Sequence, residues 1–233
     1  MRIALLHLSP VPGDLERNRR LIDAGIEEAC KRNADWVVVP EAGLTGYFFT
    51  PVIGVEWIVP ATQDAWIDSV CKVSERAGVA IFLSVPEKDA STGLLHNSTH
   101  VIVRGSIVGT QRKILCMPGP GEGWSIPGPA PPQPIAVDGV SVGVLICADA
   151  YPLQNAIACK EAGASVLLSP ASWAEGSHGP NGEWEADSQH TGLPMIVCNR
   201  SGYESSDLNF TGSHSAVIVN GKRKLDAAPS SAS

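Results

Sequence analysis

No stretch of this sequence approaches the roughly 20 consecutive apolar residues that a membrane-spanning helix needs. The opening run, Met1-Arg2-Ile3-Ala4-Leu5-Leu6-His7, is too short for the apolar core of a secretion signal, and a Pro12-Gly13 turn follows it. Basic clusters are also missing. With 17 Lys and Arg against 24 Asp and Glu, and a formal net charge of -7, the chain is a poor candidate for tracking nucleic-acid phosphates. The six cysteines (Cys30, Cys71, Cys116, Cys147, Cys159, Cys198) include no C-x-x-C pair. Their spacing argues against a disulfide or zinc framework and for reduced thiols in a cytoplasmic protein. No internal repeat is visible. A nucleotide-binding module of flavodoxin type would carry a glycine-rich loop after the first strand, and Ser9 to Asp14 supplies none.

What is present suits a soluble enzyme: 233 residues, 44% hydrophobic and 18% charged, enough for one layered α/β domain spanning residues 1–233. Arg2 to Leu6 reads as a buried strand. Asp14 caps a helix whose Leu15, Ile22, Ile26 and Cys30 recur at helical spacing. Trp36 to Val39 is a strand stopped by Pro40, and Ile67, Val70, Cys71 and Ser74 mark a second helix closed by Gly78. Val79 to Val85 follows as a strand, then a hairpin around Arg104-Gly105-Ser106. Val140 to Ile146 is a strand ending at Cys147, and Pro152 opens a helix running to about Ala162. Val166 to Leu168, Met195 to Cys198 and Ala216 to Val219 complete the strands. Two Pro/Gly-rich stretches, Pro118 to Pro134 and Gly176 to Gly182, interrupt the alternation. The first reads better as a functional loop than as a linker, because neither side holds a complete set of elements. Ala227 to Ser233 reads as a frayed end.

Three residues share one placement. Glu41 follows the strand Trp36 to Val39, Lys113 follows the second hairpin strand, and Cys147 follows Val140 to Ile146. In α/β sheets, groups at strand ends project into the crevice where ligands bind. A thiol with a reference pKa of ~8.5 needs a base or a cation nearby to become a nucleophile. A carboxylate can take that proton and return it to a departing amine, and an ammonium group can meet charge building on a carbonyl oxygen. Taken singly, each has a plain structural explanation: packing for Cys147, a surface position or helix cap for Glu41, a solvated strand edge for Lys113 beside Arg112.

Their neighbours change the weighting. Val37-Val38-Val39-Pro40-Glu41-Ala42-Gly43-Leu44-Thr45-Gly46-Tyr47 closely resembles the glutamate motif of the nitrilase superfamily of carbon–nitrogen hydrolases. Gln111-Arg112-Lys113-Ile114-Leu115, with the upstream His96-Asn97-Ser98, resembles its lysine motif, and Gly143-Val144-Leu145-Ile146-Cys147-Ala148-Asp149 its cysteine motif. Leu168 to Trp173, Val197 to Gly202 and Asn209-Phe210-Thr211-Gly212 resemble later landmarks, in the family's order.

The resemblance implies a four-layer α-β-β-α sandwich and a Glu-Lys-Cys triad acting on a non-peptide C–N bond of a small molecule, without metal or organic cofactor. Cys147 would attack, Glu41 would move the proton, and Lys113 with the backbone N–H of Ala148 would hold the oxyanion. Glu122, in Gly121-Glu122-Gly123-Trp124, falls where many members carry a second glutamate; a solvated loop carboxylate is the plainer reading. Tyr47, Trp124, Tyr151 and Trp173 are candidate pocket walls, with core packing the alternative for each. Cys147-Ala148-Asp149 favours an amide substrate; a nitrile, an N-carbamoyl compound, or an inactive binding protein on the same fold are the alternatives. Asp149 is otherwise a helix-entry cap.

The sequence departs from the pattern at Gln111 and Leu115, where relatives often carry an aromatic and a histidine, and at Ser213-His214-Ser215. After Gly221 little chain remains, so a shortened tail, without the further strand usual in relatives, is expected. A homodimer or larger homo-oligomer is the family-level expectation.

Overall fold

The computed structural model describes residues 1–119, 121–174, 176 and 180–227. The first half runs β1 (Ile3–Leu5), α1 (Leu15–Lys31), β2 (Trp36–Val38), the short α2 (Thr50–Ile53), α3 (Ala65–Ala77), β3 (Ala80–Lys88), β4 (Leu95–Val103) and β5 (Ser106–Arg112). The second half runs β6 (Ile135–Val137), β7 (Val140–Val144), α4 (Leu153–Glu161), β8 (Val166–Pro170), α5 (Glu183–Thr191), β9 (Met195–Cys198), β10 (Tyr203–Ser205), β11 (Leu208–Asn209), β12 (Ser215–Val219) and β13 (Lys222–Ala227). Strands β1-β2-β3-β4-β5 form one sheet in that order, and β13-β12-β9-β8-β7-β6 form a second. Each sheet contains a parallel run: β1-β2-β3 at one side of the first, continued by antiparallel β4 and β5, and β7-β8-β9 in the middle of the second, flanked by antiparallel strands.

Alternation along the strands explains why the sheets stack, because successive side chains point to opposite faces. Trp36, Val38, Ala80 and Phe82 belong to one buried cluster with Val142, Val144, Leu168 and Ile196 of the second sheet. Val37, Val39, Ile81 and Leu83 belong to another, shared with Ile22 and Ile26 of α1 and Ile67 and Val70 of α3. Helices α4 and α5 cover the outer face of the second sheet. Gly143 makes that approach possible: a Cβ there would lie 2.8 Å from the Cβ of Cys159 on α4. The fold is thus the α-β-β-α sandwich. Among the described residues no helix is long and apolar enough to cross a membrane.

Local signals act as their chemistry requires. Asp14 accepts from Arg17 N at 3.1 Å at the start of α1, and Gly78 closes α3 in the left-handed conformation at φ 66°. One expectation is corrected. The stretch after Gly221 does form a further strand, β13, paired with β12 through its backbone although its side chains are exposed and mostly polar. Residue 120 in the first Pro/Gly-rich stretch, residues 175 and 177–179 beside and within the second, and residues 228–233 at the C-terminal end lie outside the described residues.

Candidate active site

Glu41 leaves the end of β2, Lys113 the end of β5 and Cys147 the segment after β7. Strands β2 and β5 run in the same direction, since β3 parallels β2 and two antiparallel pairings lead on to β5. Their ends therefore open toward one side, and the loop between β5 and β6 brings Glu122 to the same place. Cys147 stands just beyond the strand expected to end on it, as the first residue of a 3-10 turn, Cys147–Ala150. Its φ is +48°, and that of Ala42, beside Glu41, is +52°. Left-handed backbone in residues other than glycine is costly and concentrates at functional sites.

The four groups converge. Lys113 is fully buried and donates from Nζ to Glu41 Oε1 at 2.7 Å and to Glu122 Oε1. Asn97 on β4 donates through Nδ2 to both carboxylates, at 2.9 Å to Glu41 and 2.8 Å to Glu122. Met117 N donates to the other Glu122 oxygen at 2.6 Å. Glu122 is therefore a buried ligand of the lysine, not a solvated loop carboxylate. Ser172, following β8, donates its N–H to Glu41 Oε2 at 3.0 Å. The Cys147 thiol lies beside the Glu41 carboxyl, and each group shifts the other's proton affinity.

Two acidic groups and one cation share this water-poor space, and the charge balance sets the protonation states. Burial, with the Glu122 charge added, pushes the Glu41 carboxyl up to about 7 despite the opposing pull of Lys113. Burial and the Glu41 charge lift the Cys147 thiol well above its ordinary value, outweighing Lys113. Burial alone would discharge Lys113, but Glu41, Cys147 and Glu122 together hold its ammonium well above the usual range. The neighbouring cation therefore does not keep a standing thiolate. The charge balance thus favours the neutral thiol beside the Glu41 carboxyl.

Asp149 ties the cysteine turn to the lysine strand. Its Oδ1 accepts from Ile114 N at 2.9 Å and Leu115 N at 2.8 Å, and its Oδ2 accepts from Ile146 N at 3.1 Å. It caps the turn, as one reading of the sequence allowed, and it also joins the two loops. Sequence reasoning assigned no role to Asn97 or Ser172. Both were visible only as polar residues inside motifs, and the signal that marks them, burial without an apolar reason, needs the structure.

Cys147 is the member of the quartet that reaches open space. It floors a cavity of about 300 Å³ together with Ala148, Tyr47, Tyr151, Ser172 and Trp173. Trp173 is clamped by Asn199, which accepts from Trp173 N at 3.0 Å and donates to Trp173 O at 3.0 Å. Its ring packs against Tyr151 with centroids 4.6 Å apart. The structure does not place Trp124 in this wall. Its ring meets Phe49 edge-on at 5.3 Å and its Nε1 donates to Gly121 O at 2.9 Å, so it packs behind the loop that carries Glu122. The cavity also takes in Phe48, Met117, Asp207 and Leu208, none of which the motifs indicated.

The chain is similar to several known proteins. A hydrolase from the pqqF 5′ region of Pseudomonas protegens is 28% identical over 174 residues, which is 73% of this chain and 59% of the relative. A nitrilase of Pyrococcus abyssi is 27% identical over the same length, 73% of this chain and 64% of the relative. The matched stretch thus covers less than two thirds of either relative. Among solved structures, an amidase from Nesterenkonia sp. superposes with a TM-score of 0.84 at 22% identity, covering 99% of this chain and 87% of that one. Saccharomyces cerevisiae Nit3, a nitrilase-superfamily member, gives 0.82 at 21% identity, covering 97% and 85%. The model of the carbon-nitrogen hydrolase family matches residues 2–225, and the chain belongs to that family.

Proposed function

We propose that this protein hydrolyses the C–N bond of a small-molecule amide through a thioester on Cys147. One observation carries the reading: a buried Lys113 ammonium is held between Glu41 and Glu122 while Glu41 also lies beside the Cys147 thiol. In the first step the Cys147 sulfur bonds to the carbonyl carbon as Glu41 takes the thiol proton. The carbonyl oxygen becomes an oxyanion facing Lys113 Nζ and the Ala148 N–H, which sits at the start of a helical turn where backbone donors lack partners within the turn. The tetrahedral species collapses, the C–N bond breaks, and Glu41 returns its proton to the departing ammonia or amine. Water, deprotonated by Glu41, then attacks the thioester, releasing the acid and restoring the thiol. Lys113, Asn97 and Glu122 keep the carboxylate in place through both halves. The Nesterenkonia amidase supports this reading, since its active-site cysteine takes up the acetamide moiety of fluoroacetamide covalently in a variant of that protein.

Ammonia release from a panel of primary amides, nitriles and N-carbamoyl compounds tests the proposal. Amides are expected to react, and Cys147→Ala to abolish the signal while Cys116→Ala retains it. Lys113→Ala should lower kcat by about 10²–10³, the usual effect of losing one oxyanion donor. Preference for nitriles or N-carbamoyl compounds would move the assignment within the family. Equal loss in both cysteine variants would refute the nucleophile.

A further inference from the structure

The cavity above Cys147 is lined mainly by apolar and aromatic groups, with Tyr47, Phe48, Tyr151 and Trp173 among its walls. Among its described lining residues one side chain is charged: Asp207, at the turn between β10 and β11. That carboxylate is exposed at the rim, and no ion pair or hydrogen bond to another described residue occupies it. Turn positions favour Asp for backbone reasons alone, so its place on the cavity needs a second support, and the hairpin supplies one. The side chain of Glu204, on β10, is buried and accepts from Tyr47 N at 2.9 Å and Phe48 N at 2.9 Å, while Arg200 pairs with it. The strand leading to Asp207 is thereby fastened to the backbone of the aromatic wall, so Asp207 lines the cavity from an anchored hairpin.

We infer that Asp207 is a specificity-determining residue that selects amides whose far end carries a primary ammonium group. This rests on the amidase reading given above. The acyl carbon is placed by Cys147, the intervening alkyl chain crosses the apolar wall, and the cation meets Asp207 at the rim. Two effects of the same sign act there. A carboxylate attracts the ammonium directly, and aromatic faces attract a cation through their quadrupoles. A substrate ending in a carboxylate meets repulsion from Asp207 and from a chain that already carries a net charge of -7.

The test compares three amides of similar length that differ in terminal charge: δ-aminovaleramide, hexanamide and glutaramate. At low salt kcat/KM should fall in that order. Because Asp207 is exposed, its share of the preference for δ-aminovaleramide over hexanamide should be about three- to five-fold. Asp207→Asn should remove that share, added salt should shrink it, and Asp207→Lys should favour glutaramate over δ-aminovaleramide. The ratio of two substrates on one preparation is insensitive to partial misfolding of a variant. Binding of the same three compounds to Cys147→Ala, followed by calorimetry, reads the charge preference without turnover. If wild type releases no ammonia from any amide, the amidase reading fails, and calorimetry still decides the role of Asp207. Equal affinity for the ammonium and methyl compounds, or a ratio unchanged in Asp207→Asn, overturns the inference.

Discussion

Ser172 holds Glu41 at both ends. Its N–H donates to the carboxylate Oε2 at 3.0 Å, and its hydroxyl donates to the Glu41 backbone carbonyl at 2.6 Å, linking residues 131 positions apart across the two sheets. The backbone after Glu41 is in the left-handed region, at Ala42, so the hydroxyl fastens a segment that departs from ordinary geometry. Ser172→Ala removes the hydroxyl and keeps the N–H. A buried hydrogen bond contributes about 0.5–1.5 kcal/mol net. The expected outcome is a folded enzyme with kcat lowered up to about ten-fold and KM little changed, measured by steady-state kinetics.

The protonation of Glu41 predicts the pH profile. Its carboxyl lies at about 7, raised first by burial, and only the ionised form can accept the Cys147 proton. Below that value the protonated fraction grows, so kcat/KM should fall about ten-fold per pH unit on the acid side of 7. Glu122 adds a like charge that raises Glu41 further. Glu122→Gln should therefore move the acid limb to lower pH even as it reduces the maximum rate. A limb that stays in place would assign it to another group.

Much of this arrangement was legible before any coordinates, for identifiable reasons. Apolar alternation around Trp36 to Val39 located the strand that delivers Glu41, and Asp14 and Gly78 marked helix ends because capping depends on local chemistry. Two of the elements that escaped, α5 and β13, lack apolar periodicity. Helix α5 buries Asp187, Ser188 and Thr191 beside Trp184, a mostly polar set, and β13 exposes all six of its side chains. A charged edge strand of this kind pairs through its backbone while discouraging further pairing, so its sequence looks like surface. The convergence of Glu41, Lys113 and Cys147 followed from strand ends and motif order. Their protonation did not, because it depends on how deeply each is buried and on Glu122 arriving from a loop.

Asp187 is a buried acid outside the Glu41, Lys113 and Cys147 cluster. It is 1% exposed, its Oδ2 has no hydrogen-bond partner among the described residues, and burial together with the Glu183 charge pushes it up to about 8. A folded-state pKa above the unfolded one means that the native state holds the extra proton between pH ~4 and ~8, so this group's contribution to stability is lost as pH rises through that window. Asp187→Asn keeps the shape without the charge. Thermal melts should show the variant matching wild type near pH 4 and exceeding it by a growing margin up to pH 8. A margin that does not change with pH would mean the acid stays ionised in the native state.

The Arg200–Glu204 pair makes a different prediction, because both partners are removed from solvent. Glu204 accepts from Tyr47 N and Phe48 N, and the Arg200 guanidinium lies 4.4 Å from the centroid of the Phe210 ring. Burial lowers the Arg200 pKa, with Glu204 opposing that shift, so the cation depends on its carboxylate. Glu204→Gln preserves the shape but turns an NH2 group toward donors and leaves a buried guanidinium without its counter-charge. Breaking one side of such a pair costs about 3–5 kcal/mol, whereas replacing both sides with neutral groups is often far milder. Urea denaturation should therefore rank Glu204→Gln as less stable than Arg200→Met combined with Glu204→Gln. The double variant should keep the fold but show a raised KM, because the Tyr47–Phe48 wall loses its charged anchor. If the double variant loses as much stability as the sum of the single substitutions, the two residues act independently and the clamp is not a unit.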